Sequence, residues 1–354
     1  MKQDTIQLNG SIFSKSNLEQ LNKTDETLDS WGNAIYLFLK NWFDDTDFVI
    51  THTSGSTGIP KEIKLLKNAM RNSARMTNAF FGLNKTKTAL LCLPASYIAG
   101  KMMLVRAIVG GFNLITVEPK ANPFELLEIP IDFTAITPYQ LHFSAETLKQ
   151  KTVKNIIVGG GHVNSTLEAL AKSIPSTMFE TYGMTETCSH IALRQFNGEN
   201  KSDVFSMLNG VSIRHDARDC LVISAPHLLS EEIITNDIVE IFNHNSFRWL
   251  GRFDSTINSG GVKIHPEQVE KKLEGIIPSS YFIASQPDDV LGEKVILVIE
   301  SADYAASQQA ELNASIEKVL AKFEIPKLIY FVPEFVYSSA NKILRKETLQ
   351  KAMR

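Results

Sequence analysis

Between residues 88 and 183, five short runs that read as strands (TALLCLP, FNLITVEP, DFTAITP, KNIIVGGG and STMFETYG) alternate with stretches of helical character such as YIAGKMMLVRAIVGG and NSTLEALAKSI. Neighbouring parallel strands need a long crossover between them, and a helix is the usual one, so this alternation predicts an α/β fold. The expected core is a mainly parallel, helix-covered sheet, with ligands bound at the carboxyl ends of its strands. Ser165 and Glu168 have the spacing of a capping box at one helix start.

At 354 residues the chain is too long for one small core. After about residue 203 the helical crossovers stop, and runs such as CLVISAP and DIVEIF follow one another, which predicts a small β subdomain. The segment GRFDSTINSGG, residues 251 to 261, concentrates loop-forming residues and places a boundary there. We expect a large domain over 1–253 and a small α+β domain over 254–354. In the latter, HPEQVEKKLEG begins a helix with Pro266 in its first turn, YFIAS and KVILVIE read as strands, and two helical stretches close the chain.

With 44% apolar and 21% charged residues, a formal charge of −3 and scattered basic residues, the chain reads as globular, with no footprint for a nucleic-acid backbone. The opening stretch MKQDTIQLNG lacks a basic segment followed by an apolar one, and the most apolar region, Ile98 to Val117, is interrupted by Lys101 and Arg106, so neither a leader nor a membrane span is expected. Cys92, Cys188 and Cys220 are far apart and fit neither a disulfide framework nor a zinc cluster, which favours a reducing cytoplasm. The eight histidines show no metal-ligand spacing, which argues against a metal-dependent hydrolase.

The strongest chemical signal is Thr53-Ser54-Gly55-Ser56-Thr57-Gly58-Ile59-Pro60-Lys61, which follows the apolar run DFVI. Glycines let backbone approach an anion, hydroxyls and main-chain N–H groups donate to phosphate oxygens, and the lysine adds a point charge. The Walker spacing is absent. A generic Gly/Ser/Thr stretch is more often a polar turn; the ordered string is what points to a nucleoside triphosphate.

At this string the sequence resembles the adenylate-forming superfamily of acyl-CoA synthetases, peptide-synthetase adenylation domains and firefly-type luciferases. Tyr182-Gly183-Met184-Thr185-Glu186-Thr187 is similar to the second signature. There the resemblance implies that the Tyr182 ring lies against adenine, Thr185 contacts the α-phosphate and Glu186 holds Mg²⁺. Thr235-Asn236-Asp237 resembles the family's TGD motif, with Asn236 in place of glycine, and Gly251-Arg252 follows. The resemblance gives Asp237 the ribose hydroxyls and Arg252 the ribose or phosphates. It makes Asp254 the hinge of a mobile carboxyl-terminal domain, and Ser259-Gly260-Gly261 the segment that approaches the thiol. In Asn341-Lys342-Ile343-Leu344-Arg345 it makes Lys342 the cation that bridges the substrate carboxylate and the α-phosphate, and Lys342, Lys61 and Mg²⁺ are expected to supply the largest share of the electrostatic stabilisation. Alone, a lysine near a terminus reads as a solvated charge; its register with four earlier motifs reverses that. The matches run from 53 to 345, and the 52 residues before the phosphate string are fewer than relatives carry, so a reduced amino-terminal subdomain is expected.

Leu93-Pro94-Ala95-Ser96-Tyr97-Ile98-Ala99-Gly100, with Arg106 nine residues after Tyr97, resembles the o-succinylbenzoate–CoA ligase branch of menaquinone biosynthesis. In that branch Arg106 would hold the second carboxylate of the acid. A cation flanked by Met102, Met103, Val105 and Ile108 is costly to bury without an anion, and the competing partner is an internal Asp or Glu. Thr185-Glu186-Thr187-Cys188-Ser189-His190 also looks like the ligase branch, and Gly159-Gly160-Gly161 would let an aromatic acid lie against backbone. Tyr97, Arg106, Gly159, Gly160, Gly161 and Ser189 are therefore the candidate acyl-site residues.

The resemblance implies an AMP-forming acid–thiol ligase with ATP and CoA as substrates and Mg²⁺ as cofactor, acting on small molecules. No carrier-protein segment is seen after residue 354, so a diffusible thiol is the simpler acceptor. Oligomeric state is left open, a homodimer included. The alternatives are a CoA ligase for another aryl or medium-chain acid, and a nucleotide-binding relative without turnover.

Overall fold

The structure, a computed structural model, describes residues 4–23, 30–52, 62–302, 304–337 and 343–353. The chain divides into two compact units. The first comprises Met1–Arg214, Ile223–Ile233 and Phe242–Phe247; the second comprises His215–Val222, Ile234–Ile241 and Arg248–Arg354.

The first unit opens with β1 (Thr5–Leu8), β2 (Ser11–Ser14), α1 (Glu19–Lys23), α2 (Ser30–Trp42), β3 (Phe48–His52), β4 (Glu62–Leu66) and α3 (Lys67–Phe81). Then come β5 (Thr88–Leu91), α4 (Ile98–Gly110), β6 (Asn113–Thr116), β7 (Ile131–Ile136), α5 (Pro138–Leu148), β8 (Val153–Val158), α6 (Ser165–Ala171) and β9 (Thr177–Gly183). The five predicted strands are β5 to β9, and β6-β5-β7-β8-β9 is a parallel run. On the β6 side, β1 adds in parallel through Leu8↔Leu114, and β2 closes the edge antiparallel to β1. Beyond β9, β10 (His190–Gln195) and β11 (Phe205–Met207) are antiparallel.

Alternation along the strands feeds two cores, as expected for a sheet covered on both faces. Ala89, Leu91, Phe133 and Ile157 pack on one face with Ala69, Met70 and Ala74 of α3 and Met102 to Val105 of α4. Leu90, Ile136, Ile156 and Val158 pack on the other with Leu141 and Leu148 of α5 and Leu167 and Ala171 of α6. Helix ends follow local chemistry: α3 and α4 stop at Gly82 and Gly111, both left-handed. Thr137 and Gln140 form the capping box of α5. The box expected from Ser165 and Glu168 does not form: Asn164 caps α6, and Glu168 turns instead to Arg194 and Lys201. A buried cation outcompetes a cap that a neighbouring Asn can supply.

Four strands follow, β12 (Ser212–His215), β13 (Cys220–Ser224), β14 (Ile233–Asn243) and β15 (Ser246–Arg252), each beside the next, as expected for the β subdomain. After a 3-10 turn, Phe253–Ser255, the second unit continues with β16 (Ile257–Ser259), β17 (Val262–Ile264), α7 (Pro266–Leu273), β18 (Tyr281–Asp288), β19 (Gly292–Glu300), α8 (Ala306–Val319), β20 (Leu328–Val332) and α9 (Arg345–Ala352). β18 and β19 pair antiparallel over their length, and β20, which has no counterpart in the sequence reading, pairs in parallel with β19. Val269, Leu273, Leu312 and Ile316 cover one face of this sheet. Phe282, Val298, Val332 and Phe335, with Leu349 of α9 against them, lie on the other.

Candidate active site

Thr53, Ser54, Gly55, Ser56, Thr57, Gly58, Lys61 and Lys342 lie outside the described residues. Their flanks are described. β3 and β4 pair antiparallel with Thr51↔Ile63 and His52↔Glu62, so the two ends of the phosphate string leave from adjacent strands. Lys101 of α4, buried and pushed down by desolvation, donates to Ile50 O at 3.1 Å and ties β3 to the main core. On either side of Lys342, Tyr337 and Ile343 form a bridge, and the Tyr337 hydroxyl donates to Glu300 at 2.8 Å.

β9 carries the second signature to its end. The Tyr182 ring is half-buried, edge-on to Phe247 at 5.0 Å and to Phe205 at 5.9 Å between centroids. Thr187, fully buried, holds the turn that follows: its hydroxyl accepts from Met184 N at 3.0 Å and lies 2.7 Å from Ser189 O. Thr185 is half-buried and Glu186 exposed on that turn. Gly183 is required there, because a Cβ would stand 2.5 Å from both His190 Cα and Ser189 O. Cys188 adopts the left-handed region (φ 63), an uncommon state for a residue with a Cβ, which brings Ser189 and His190 back onto β10.

Arg106, on α4, is 2% exposed. Nη2 donates to Ser189 Oγ at 2.5 Å, Nη1 reaches Met103 Sδ at 3.5 Å, and Nε has no partner among the described residues. Among the described residues no carboxylate pairs with it, so the internal Asp or Glu that the sequence allowed as its partner is not found there. Burial pushes its pKa down to about 9, which leaves it charged at neutral pH. Ser189 Oγ lies 3.2 Å from His190 Nδ1, and His190 Nε2 lies 3.2 Å from Thr77 Oγ1 of α3. Thr77 in turn donates to Ser73 O at 3.3 Å, and Asn78 donates to Arg106 O at 2.9 Å, which closes a ring of contacts across α3, α4 and the signature turn.

The three glycines leave the carboxyl end of β8. A Cβ on Gly159 would lie 2.4 Å from Thr181 Oγ1, beside Tyr182, and Gly160 has φ +82. Tyr97 differs from the rest of the acyl-site set. It precedes α4, is 58% exposed, and its rise along the helix places it about 13 Å from Arg106.

In the second unit, Asp237 and Arg252 come together. Asp237 is buried, accepts from Trp249 Nε1 at 3.3 Å and lies 3.8 Å from Arg252 Nη1. Arg252 Nε also donates to Asp254 Oδ1 at 3.0 Å, and that pairing holds the Asp254 carboxyl below its usual range. Asn236, the departure from TGD, accepts from Arg218 Nη1 at 3.0 Å, while Arg218 Nη2 donates to Thr235 O at 3.1 Å and the guanidinium lies over Phe253. Ser259 is buried on β16, and Gly260 and Gly261 make the two-residue turn into β17 with φ 61 and 82, the backbone that a type I′ hairpin demands.

Thr77 and His190 are polar residues on core faces, missed by the sequence reading because the contact between them spans 113 residues. The other group missing from the sequence reading is Arg194 with Glu180 and Glu168. Glu180 pairs with Arg194 and accepts from Val163 N at 2.9 Å; Arg194 Nη1 lies 3.0 Å from Glu168. Burial alone would raise the Glu180 pKa, but contacts from His162, Arg194 and Val163 outweigh it and hold it low.

Residues 7–213 match the family described as AMP-binding enzyme. A solved structure from Dyadobacter fermentans, described as an acyl-CoA synthetase (AMP-forming)/AMP-acid ligase II-like protein, is 34% identical, with a TM-score of 0.61 over 94% of this chain and 97% of that one. A 2-succinylbenzoate–CoA ligase of Staphylococcus epidermidis is 27% identical over 84% of this chain and 68% of its own length. One from Lactococcus lactis is 25% identical over 86% and 71%. The o-succinylbenzoate coenzyme A synthetase of Bacillus subtilis, solved with ATP and magnesium ion, is 20% identical with a TM-score of 0.68 over 85% of this chain and 69% of that one, a likeness of fold.

Proposed function

We propose a reaction for this chain from one premise: it belongs to the AMP-binding enzyme family. The chain is an AMP-forming acid–CoA ligase that converts o-succinylbenzoate, ATP and CoA to o-succinylbenzoyl-CoA, AMP and diphosphate, a step of menaquinone biosynthesis. A carboxylate resists thiol attack because its charge repels nucleophiles and oxide is a poor leaving group. Attack of that carboxylate oxygen on the α-phosphorus expels diphosphate and forms a mixed anhydride. The CoA sulfur then attacks the acyl carbon, and AMP leaves with the bond electrons.

Both partners in the first step are anions, so the barrier is chiefly electrostatic, and Lys61 and Lys342 are assigned to lower it. Thr53 to Gly58 and Thr185 are assigned to the phosphates, Tyr182 to adenine, and Asp237 with Arg252 to the ribose. Mg²⁺ would be held by Glu186, whose exposed carboxylate suits a hard cation that takes its other ligands from phosphate and water. When bound it would supply charge neutralisation at the phosphates. Asp254 is assigned as the hinge between domains at 1–253 and 254–354, with Ser259, Gly260 and Gly261 at the thiol channel. Cytoplasm is the proposed compartment; no described helix is long and apolar enough to cross a membrane.

The substrate assignment is carried by Arg106. A buried cation with neither a partner for Nε nor a carboxylate beside it among the described residues is a standing cost on the order of several kcal/mol, which a second carboxylate on the acid would offset. The 2-succinylbenzoate ligases with which this chain aligns over 84–86% of its length support the same acid. Diphosphate release across a panel of acids tests it. Arg106→Ala should raise the KM for a dicarboxylic aryl acid far more than for its monocarboxylic analogue; an equal response removes the assignment. Preference for another aryl or medium-chain acid would favour that ligase activity instead.

A further inference from the structure

We propose that His190 is a positioning residue for acid selection: seated between Ser189 and Thr77, it fixes the Ser189 hydroxyl so that Arg106 is held ready for the second carboxylate of the acid. The inference rests on the dicarboxylate reading above. It follows from a count of protons along the buried chain. Thr77 has one hydroxyl proton, and it goes to Ser73 O, so Thr77 Oγ1 accepts from His190 Nε2. His190 Nδ1 is then the bare nitrogen and accepts from the Ser189 hydroxyl. With its only proton committed, Ser189 can offer Arg106 nothing but a lone pair, and the guanidinium faces an acceptor of fixed direction.

A neutral imidazole is what this order requires. Burial, with the Arg106 charge adding to it, drives the His190 pKa well below its ordinary value. Asn78, next to Thr77 on α3, holds the Arg106 backbone from the other side, so the ring of contacts fixes both ends of the residue that selects the acid. His190 touches neither acid nor nucleotide in this scheme. It acts through Ser189 and Arg106.

The test is the ratio of kcat/KM for a dicarboxylic aryl acid to that for its monocarboxylic analogue, measured in the full chain. Loss of a hydrogen bond that orients a charged group should lower this ratio about tenfold in His190→Leu, and about threefold in Thr77→Val. His190→Gln, which keeps an acceptor and a donor, should restore it to near the wild-type value, which a merely space-filling histidine would not predict. A wild-type ratio in His190→Leu overturns the proposal. Should that variant fail to fold, Thr77→Val decides by the same ratio, and an unchanged value again overturns it. If Arg106→Ala abolishes the preference while His190→Leu keeps it, only the positioning role falls. If the wild type shows no preference, the dicarboxylate reading fails and takes this one with it.

Discussion

Arg345 grips Glu270 through both of its terminal nitrogens, each 2.9 Å from a carboxylate oxygen, and so joins the start of α9 to α7. The same carboxylate accepts from Ile283 N at 2.8 Å, and the guanidinium lies over the Phe282 ring at 5.6 Å. A bidentate pair of this kind fixes direction as well as distance. Arg345 stands three residues after Lys342 in the chain. Arg345→Met should therefore slow ATP–diphosphate exchange about tenfold, by the size of a lost charge-assisted hydrogen bond. Exchange at the wild-type rate would reduce the pair to a role in stability alone.

Lys342 is assigned to adenylate formation but not to thiol transfer. Lys342→Ala should abolish ATP–diphosphate exchange while leaving the conversion of a supplied acyl-AMP to thioester largely intact. Equal loss in both assays counts against a separate role in the first step.

Trp249 donates its indole N–H to Asp237, the residue assigned to the ribose. Of the three tryptophans, only this one is placed at the proposed nucleotide site. Titration with AMP should change the indole emission, and Trp249→Phe should remove most of that change. Asp237→Asn should raise the KM for ATP about tenfold, as expected for a weakened hydrogen bond to a charged acceptor. An AMP response that persists in Trp249→Phe would place the reporter elsewhere.

Arg194→Met would leave Glu180 buried beside a neutral side chain. Breaking one side of a buried pair typically costs about 3–5 kcal/mol, and thermal unfolding should show a loss of that order at neutral pH. The sign with pH follows from the lowered Glu180 pKa. Its contribution is complete above the ordinary glutamate value of 4.5 and is lost as pH falls through the lower folded value. The gap between wild type and variant should therefore narrow below about pH 4.5, as the carboxyl protonates. A gap that stays constant down to pH 3 would assign the loss to packing.

Much of the architecture was legible because its determinants are local. Five strands with helices between them and Pro266 at a helix start each depend on residues a few positions apart. Arg106 stood out by itself as a cation in an apolar helix. The misreadings share the opposite property. Ser165 and Glu168 had the right spacing for a cap, yet Glu168 was claimed by Arg194, 26 residues on. β1 joins the sheet edge through β6, more than a hundred residues away, and β20 gains its place only by pairing with β19.

The sequence by itself therefore determined the fold class, the order of the signatures and the presence of one cation in need of an anion. Only the tertiary structure decided how that cation is held, because the bonds from Arg106 to Ser189 and from His190 to Thr77 span 83 and 113 residues. Periodicity and capping act over a turn or two of chain. A hydrogen bond between distant residues exists only once packed helices and a strand end have brought its atoms within about 3 Å of one another.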